Sequence, residues 1–193
     1  MIDFGAGTGR FAMAVAERGF RVTCIEPDSA LANQITARGL EVLPDISQIA
    51  SGEVDNIFSL NVLEHIADDK AAAKAWAEKL KPGGRLLVYV PAFPWLFTSM
   101  DRKVGHLRRY TRRVLVDLLT AAQFQVVSAR YADSLGVIAT LAYRLLDPGT
   151  GEINEQLLRA YDRLVFPVSR VLDNVFAHYL GKNLIVTAVR SGR

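Results

Sequence analysis

The sequence predicts an α/β fold, a doubly wound and mostly parallel sheet with helices on both faces. Three observations point to it. Short apolar or β-branched runs alternate with helical patterns through the first ninety residues. Turn residues fall between those runs, with Pro82-Gly83-Gly84 ahead of one strand and Gly39 just past one helix. A glycine-rich stretch, Gly5-Ala6-Gly7-Thr8-Gly9, separates the first strand from the first helix. At 193 residues, half of them apolar and 22% charged, the chain reads as one soluble globular domain with a sizeable core.

In order, strands are expected near Met1–Phe4, Arg21–Ile25, Glu41–Leu43, Asp55–Leu60 and Arg85–Val90, and helices near Arg10–Arg18, Ser29–Arg38 and Asp69–Leu80. Residues 1–90 form one half of the domain. Residues 91–132 come next: a loop from Pro91 to Tyr110, rich in Pro, aromatic and basic residues, then a helix from Thr111 to Ala122 and a strand near Gln125–Tyr131. A loop that long inside a compact domain is usually either functional or disordered. Residues 133–182 read as a helical insertion with one apolar face, in which Leu157, Tyr161, Leu164, Val168, Val171, Val175 and Tyr179 recur at three- and four-residue steps. Pro167 is expected to kink or split it. Residues 183–193 give a last strand, Asn183–Val189, and a tail.

Several classes are excluded. Cys24 is the only cysteine, so the chain has no internal disulfide and no cysteine-based zinc site of the usual kind. Met1-Ile2-Asp3-Phe4-Gly5 has neither the charged nor the apolar region of a secretory signal. No apolar run approaches the roughly 20 residues that span a bilayer, and Leu135–Leu146 contains Arg144. A cytoplasmic location is expected. The net charge of +3 is modest, yet Arg102, Lys103, Arg108, Arg109, Arg112 and Arg113 cluster in one segment. Such a cluster can grip a phosphate or carboxylate on a substrate or a membrane surface. Arg112 and Arg113 also fit the solvated face of a helix. With no nucleic-acid-binding module beside it, a local basic stretch does not predict nucleic-acid binding.

The glycine loop carries the strongest chemical signal. Glycines let the backbone turn tightly and approach a ligand, and the following helix N-terminus offers free N–H groups. A dinucleotide fingerprint places glycine at the first, third and sixth positions, whereas the sixth from Gly5 is Arg10. Glycine falls at the fifth position instead, and Asp3 stands two residues before the first.

With these motifs the sequence resembles the class I S-adenosylmethionine-dependent methyltransferases, in particular the type 11/12 methyltransferase domains. That resemblance implies a Rossmann-like seven-stranded sheet with an antiparallel last strand, and S-adenosylmethionine as cofactor with S-adenosylhomocysteine as product. It implies cofactor contacts from Asp3, Gly5, Gly7 and Gly9. Glu26, followed by Pro27, matches the acid that accepts hydrogen bonds from the ribose hydroxyls. Asp45-Ile46 matches the pair that reads the adenine amino group and packs on its ring, although Asp45 also suits ordinary turn chemistry. Asn61-Val62, leading into Leu63-Glu64-His65-Ile66, matches the segment flanking the methionine moiety. Leu80-Lys81-Pro82-Gly83-Gly84 matches the turn before the fifth strand. Family members carry lid helices ahead of the first strand; these are expected to be absent here, with weaker cofactor binding as the result.

Enzymes of this class that methylate nucleobase or amide nitrogens typically carry Asn/Asp-Pro-Pro-aromatic after the fourth strand. Asn61-Val62-Leu63-Glu64 stands there instead, which favours oxygen, carbon or small-amine acceptors. Methyl transfer from a sulfonium needs a base only when the acceptor is protonated, so no fixed catalytic constellation is required. The candidate bases are His106 and His65. Arg109 and Tyr110, in the His-x-x-Arg-Tyr pattern beginning at His106, are expected at the acceptor. Glu64, Asp68 and Asp69 with His65 offer metal-type side chains, but acids at a helix N-terminus account for most of them and no metal is expected. The acceptor is expected to be a small molecule or a lipid- or glycan-linked one, anionic in character, with peripheral membrane contact through the helical insertion as one reading. A non-catalytic binding module and a nucleotide-dependent oxidoreductase are the alternatives, the latter disfavoured by Arg10.

Overall fold

A computed structural model describes residues 1–146, 149–152 and 155–192. The elements run β1 (Ile2–Phe4), α1 (Arg10–Ala16), β2 (Thr23–Ile25), α2 (Ser29–Ala37), β3 (Glu41–Leu43), β4 (Val54–Leu60), α3 (Asp69–Lys79) and β5 (Leu80–Pro91). They continue with α4 (Ser99–Lys103), α5 (Arg112–Ala121), β6 (Phe124–Ala132), α6 (Ser134–Leu146), α7 (Glu155–Ala160), α8 (Phe166–Phe176) and β7 (Asn183–Arg190). One seven-stranded sheet results, in the order β3-β2-β1-β4-β5-β7-β6. The strands from β3 to β5 pair in parallel, and β7 lies antiparallel between β5 and β6.

Both faces of the sheet are covered, because neighbouring strand residues point to opposite sides. Ile57, Leu86 and Val88 pack with Trp76 of α3 and with Leu115 and Leu119 of α5. Phe58 and Cys24 face the other way, against Ala12 of α1 and Ile35 of α2. The chain reverses its winding between β1 and β4, which opens a crevice at the C-terminal strand ends, where such sheets bind ligands.

Three local expectations change. Pro82-Gly83-Gly84 does not stand between α3 and its strand: α3 ends at Lys79, Leu80 already pairs with Val54, and the turn becomes an irregularity inside β5. The segment from Pro91 to Tyr110 is not free of secondary structure. It holds a 3₁₀ turn at Pro94–Leu96 and the short helix α4, whose N-terminus is closed by a reciprocal Thr98–Asp101 capping box. Around Pro167 the chain stays helical. A π-helical turn over Tyr161–Val165 precedes it, and Pro167 is the second residue of α8. Residues 147–148 and 153–154 of the expected insertion, and residue 193 of the tail, lie outside the described residues.

The helical layer is tied to the sheet by buried polar groups. Asp173 of α8 accepts the N–H groups of Asp133 and Ser134 at 2.7 and 2.9 Å, and Ser169 accepts that of Leu135 at 3.0 Å. These bonds satisfy N–H groups that the start of α6 would otherwise leave orphaned. Among the described residues, no helix is long and apolar enough to cross a membrane.

Candidate cofactor and acceptor site

The glycine loop lies at the C-terminal end of β1. Gly5, Gly7 and Gly9 all have positive φ, at 77°, 56° and 74°, a region other residues enter only with strain. Gly5 is also a close approach, since a Cβ there would stand 2.4 and 2.6 Å from the Val62 methyl groups. Glu26, at the end of β2, is buried and accepts the Gly7 N–H at 2.7 Å and the Asp28 N–H at 3.0 Å. Its carboxylate is thus fixed beside the loop with lone pairs still available. Asp28 then caps α2 by accepting two backbone N–H groups.

Asp3 is buried, and its Oδ2 has no hydrogen-bond partner. Burial pushes its pKa up to about 7; a hydrogen bond from the Ala12 backbone works against that, and the nearby Glu26 adds to it. Asp45 stands exposed after β3 and accepts the Ser47 N–H at 2.7 Å, a bond that, with the Ser47 side chain, lowers its pKa. Ile46 beside it is buried in the core. Asn61 closes β4 at φ 55°, held by its N–H to the Tyr89 carbonyl at 2.8 Å. Strain of this kind at a strand end is characteristic of ligand-binding positions.

The acceptor side is built from the turn after β4 and the segment after β5. Asp101 is buried and receives five hydrogen bonds. His106 Nδ1 lies 2.7 Å from its Oδ1, Arg109 reaches both carboxylate oxygens at 2.9 Å, and Thr98 donates its N–H at 2.7 Å and its hydroxyl at 3.0 Å. Burial pushes the Asp101 pKa up, but the bonds from His106, Arg109 and Thr98 outweigh burial and hold it well below the usual carboxylate range. The other ring nitrogen of His106, Nε2, faces Glu64 Oε1 at 3.7 Å. Glu64 is fully buried and neither of its oxygens has a hydrogen-bond partner. Burial raises its pKa to about 7. His65 stacks edge-on against His106 with ring centroids 4.7 Å apart, and its Nδ1 lies 3.2 Å from the Gly105 carbonyl. Its pKa is lowered, first by burial and then by His106.

Both histidines therefore meet at one place, where the His65 backbone N–H donates to the Val62 carbonyl at 2.9 Å. Arg109 and Tyr110, expected to contact the acceptor, are enclosed. The Arg109 guanidinium is taken up by Asp101 and the Ala92 carbonyl, and Tyr110 is 1% exposed with its hydroxyl on Leu63 and Asp69. Arg108 pairs with Asp69 at 2.8 Å. Arg112 is not a solvated face residue, since it sits over the Tyr131 ring and bonds carbonyls at the end of α8, whereas Arg113 meets only Asp117 on the surface. Glu64, His65 and His106 offer donor atoms within 4.8 Å of one another, a set that suits a divalent cation. Asp68 and Asp69 do not join them, because Asp68 caps α3 and Asp69 serves Arg108 and Tyr110. Sequence reasoning assigned no role to Asp101. Its signal was the Thr98-x-x-Asp101 spacing of a helix start, which it fills while also orienting His106.

The sheet order, the antiparallel β7 and the glycine loop at the β1 switch point define a class I S-adenosylmethionine-dependent methyltransferase fold. Residues 1–129 match the methyltransferase domain family, and the chain belongs to it. S-adenosylmethionine is the cofactor of this class, and the left-handed glycine cradle, the fixed Glu26 carboxylate and the unpartnered oxygen of Asp3 fit it. The ubiquinone biosynthesis O-methyltransferase of Idiomarina loihiensis is 30% identical over 114 residues, 54% of this chain and 43% of that protein. The chain spans about two fifths of the length of the first curated relatives it matches. A solved S-adenosylmethionine-dependent methyltransferase from Archaeoglobus fulgidus overlays 98% of this chain and 85% of its own, with TM-score 0.67 and 13% identity. The 1,6-didemethyltoxoflavin-N1-methyltransferase of Burkholderia thailandensis, solved with S-adenosylhomocysteine, overlays 98% of this chain and 70% of its own, with TM-score 0.60 and 19% identity. These two likenesses concern the fold.

Proposed function

We propose that the chain moves a methyl group from S-adenosylmethionine to an oxygen of a small-molecule acceptor, free or carried on a lipid or glycan, with His106 as the base. The Asp101–His106 pair carries this reading. Bound cofactor supplies a methyl group on a sulfonium that leaves as a neutral thioether. Asp101, kept ionised, accepts the Nδ1–H of His106 and so selects the tautomer whose Nε2 is bare. That nitrogen takes the proton of the acceptor hydroxyl as the oxygen attacks the methyl carbon, and Asp101 stabilises the imidazolium that forms. Glu26 and the glycine loop position the cofactor, while Arg109 and Tyr110 hold the segment that carries His106. The Idiomarina loihiensis relative is an O-methyltransferase, which supports oxygen as the acceptor atom.

Calorimetry with S-adenosylhomocysteine and transfer of labelled methyl to a catechol probe, 3,4-dihydroxybenzoate, test this reading. Micromolar binding is expected in the intact chain and is expected to vanish in Glu26→Ala. His106→Ala is expected to keep that binding and lose about a hundredfold or more in rate. A folded chain that does not bind S-adenosylhomocysteine, or a His106→Ala variant of undiminished rate, overturns it.

A further inference from the structure

The helical layer turns an apolar stripe away from the rest of the molecule. Leu164, Val168, Val171, Val175 and Tyr179 follow one another at three- and four-residue steps and are 52–79% exposed. Within α8, Val168, Val171 and Val175 fall within an arc of about 60° at 3.6 residues per turn. Ser169 and Asp173, which bond the start of α6, lie on roughly the opposite side. On α6, which packs against α8, Ile138, Leu141 and Leu145 add a second exposed row at helical spacing. Two exposed apolar rows on helices that pack together mark an interaction surface.

Charge identifies what it meets. Arg170 lies about 130° round α8 from the centre of that stripe, on the polar face, and Arg163 stands in the π-helical turn before α8; both are exposed and have no hydrogen bond or ion pair among the described residues. Of the acids between residues 156 and 181, Asp173 is spent on the start of α6, which leaves Asp162 alone. A second copy of this chain would thus bring no acidic row to meet the arginines. An anionic lipid surface would meet both features at once, the headgroups taking the guanidinium groups and the acyl boundary taking the apolar side chains. Tyr179 at the end of the stripe combines an apolar ring with a polar tip, as suits that boundary.

We propose that α6 and α8 form a peripheral docking surface for an anionic lipid bilayer. The topology gives that surface a use. Strand β6 runs parallel to β5, so α6 departs from the same sheet edge that carries the acceptor site. Arg144 of α6 donates to the Trp95 carbonyl at 2.9 Å, which fastens the docking layer to the segment leading to His106. A docked chain therefore holds its acceptor mouth beside the lipid, within reach of a substrate carried there; this last step rests on the proposed activity, whereas the docking itself does not.

Co-sedimentation of the intact chain with vesicles of equal parts phosphatidylcholine and phosphatidylglycerol, and with phosphatidylcholine alone, tests the proposal. Binding is expected for the anionic vesicles, at least about tenfold stronger than for the neutral ones and weakened by salt. Arg163→Glu with Arg170→Glu is expected to cost at least another tenfold. Leu164→Asp with Val175→Asp is expected to weaken it about a hundredfold while thermal unfolding and S-adenosylhomocysteine binding stay unchanged. Failure of the folded chain to sediment with anionic vesicles, or equal sedimentation of this apolar-face variant, overturns it. A dimer in light scattering that the same variant splits, with no vesicle binding, overturns it in favour of a contact between copies. S-adenosylhomocysteine binding in the same preparation keeps failure of docking distinct from failure of the cofactor site.

Discussion

Replacing Glu64 by Gln should make the chain more stable above neutral pH and change how its stability depends on pH. Glu64 is fully buried, neither oxygen has a partner, and burial raises its pKa from 4.5 to about 7. Below pH 4.5 the group is neutral in both folded and unfolded chains and adds no pH-dependent cost. As pH rises the unfolded chain ionises first, so stability falls until the folded group also ionises near pH 7, and the loss is complete above that. The displacement corresponds to about 3 kcal/mol. Gln has no charge to lose, but its buried amide costs about 1–3 kcal/mol at every pH if it too lacks partners. The neutral carboxyl it replaces carries a similar cost, so the variant should match the parent near pH 4.5 and exceed it at pH 8, the gap between them changing by about 3 kcal/mol across the range. Asp3, raised to about 7 as well, imposes the same slope on both proteins and cancels in the difference. Urea unfolding at closely spaced pH values, with EDTA present, measures it. A parent-to-variant gap constant to within about 0.5 kcal/mol from pH 4.5 to 8 would refute a neutral, desolvated Glu64.

Gly5→Ala should destabilise the chain by about 2–4 kcal/mol, because a side chain at φ 77° is strained and its Cβ overlaps the Val62 methyl groups. Adding Val62→Ala should recover the overlap and leave the strain, so a double-mutant cycle on melting temperature that shows no coupling contradicts this. Asp101→Asn removes the charge that pairs with Arg109 and should cost about 3–5 kcal/mol by urea unfolding. It should also change which ring nitrogen of His106 carries the proton, which imidazole NMR reads; an unchanged tautomer would mean that Asp101 does not select it.

Much of the cofactor half was legible because its signals are local. The glycine spacing, an acid closing β2 and an acid followed by an apolar residue after β3 are each set by a few neighbouring residues, and the structure brings all of them to one sheet edge. Periodicity likewise located every strand to within a few residues, since alternate burial on a two-sided sheet leaves its mark in sequence. The acceptor side was less legible because its key contacts are made between distant segments. Nothing near Glu64 in sequence shows that His106 will face it, and nothing near Arg109 shows that Asp101 and the Ala92 carbonyl will take its donors. The basic run reads as a ligand grip until the acids that pair with it are folded against it. Pro167 misleads for a different reason: a π-helical turn just before it absorbs the misfit that would otherwise kink the helix.

The internal use of Arg108 and Arg109 has a consequence for selectivity. Backbone bonds tie the segment after β5 at three places, Tyr110 to Pro91, Phe93 to Tyr110 and Leu107 to Glu64, so it is a strap closed across the strand ends rather than an open loop. Its guanidinium groups hold that strap to Asp69 and Asp101. An acceptor reaching His106 would then be chosen less by a strong anion grip than by shape and by a hydroxyl that Nε2 can approach.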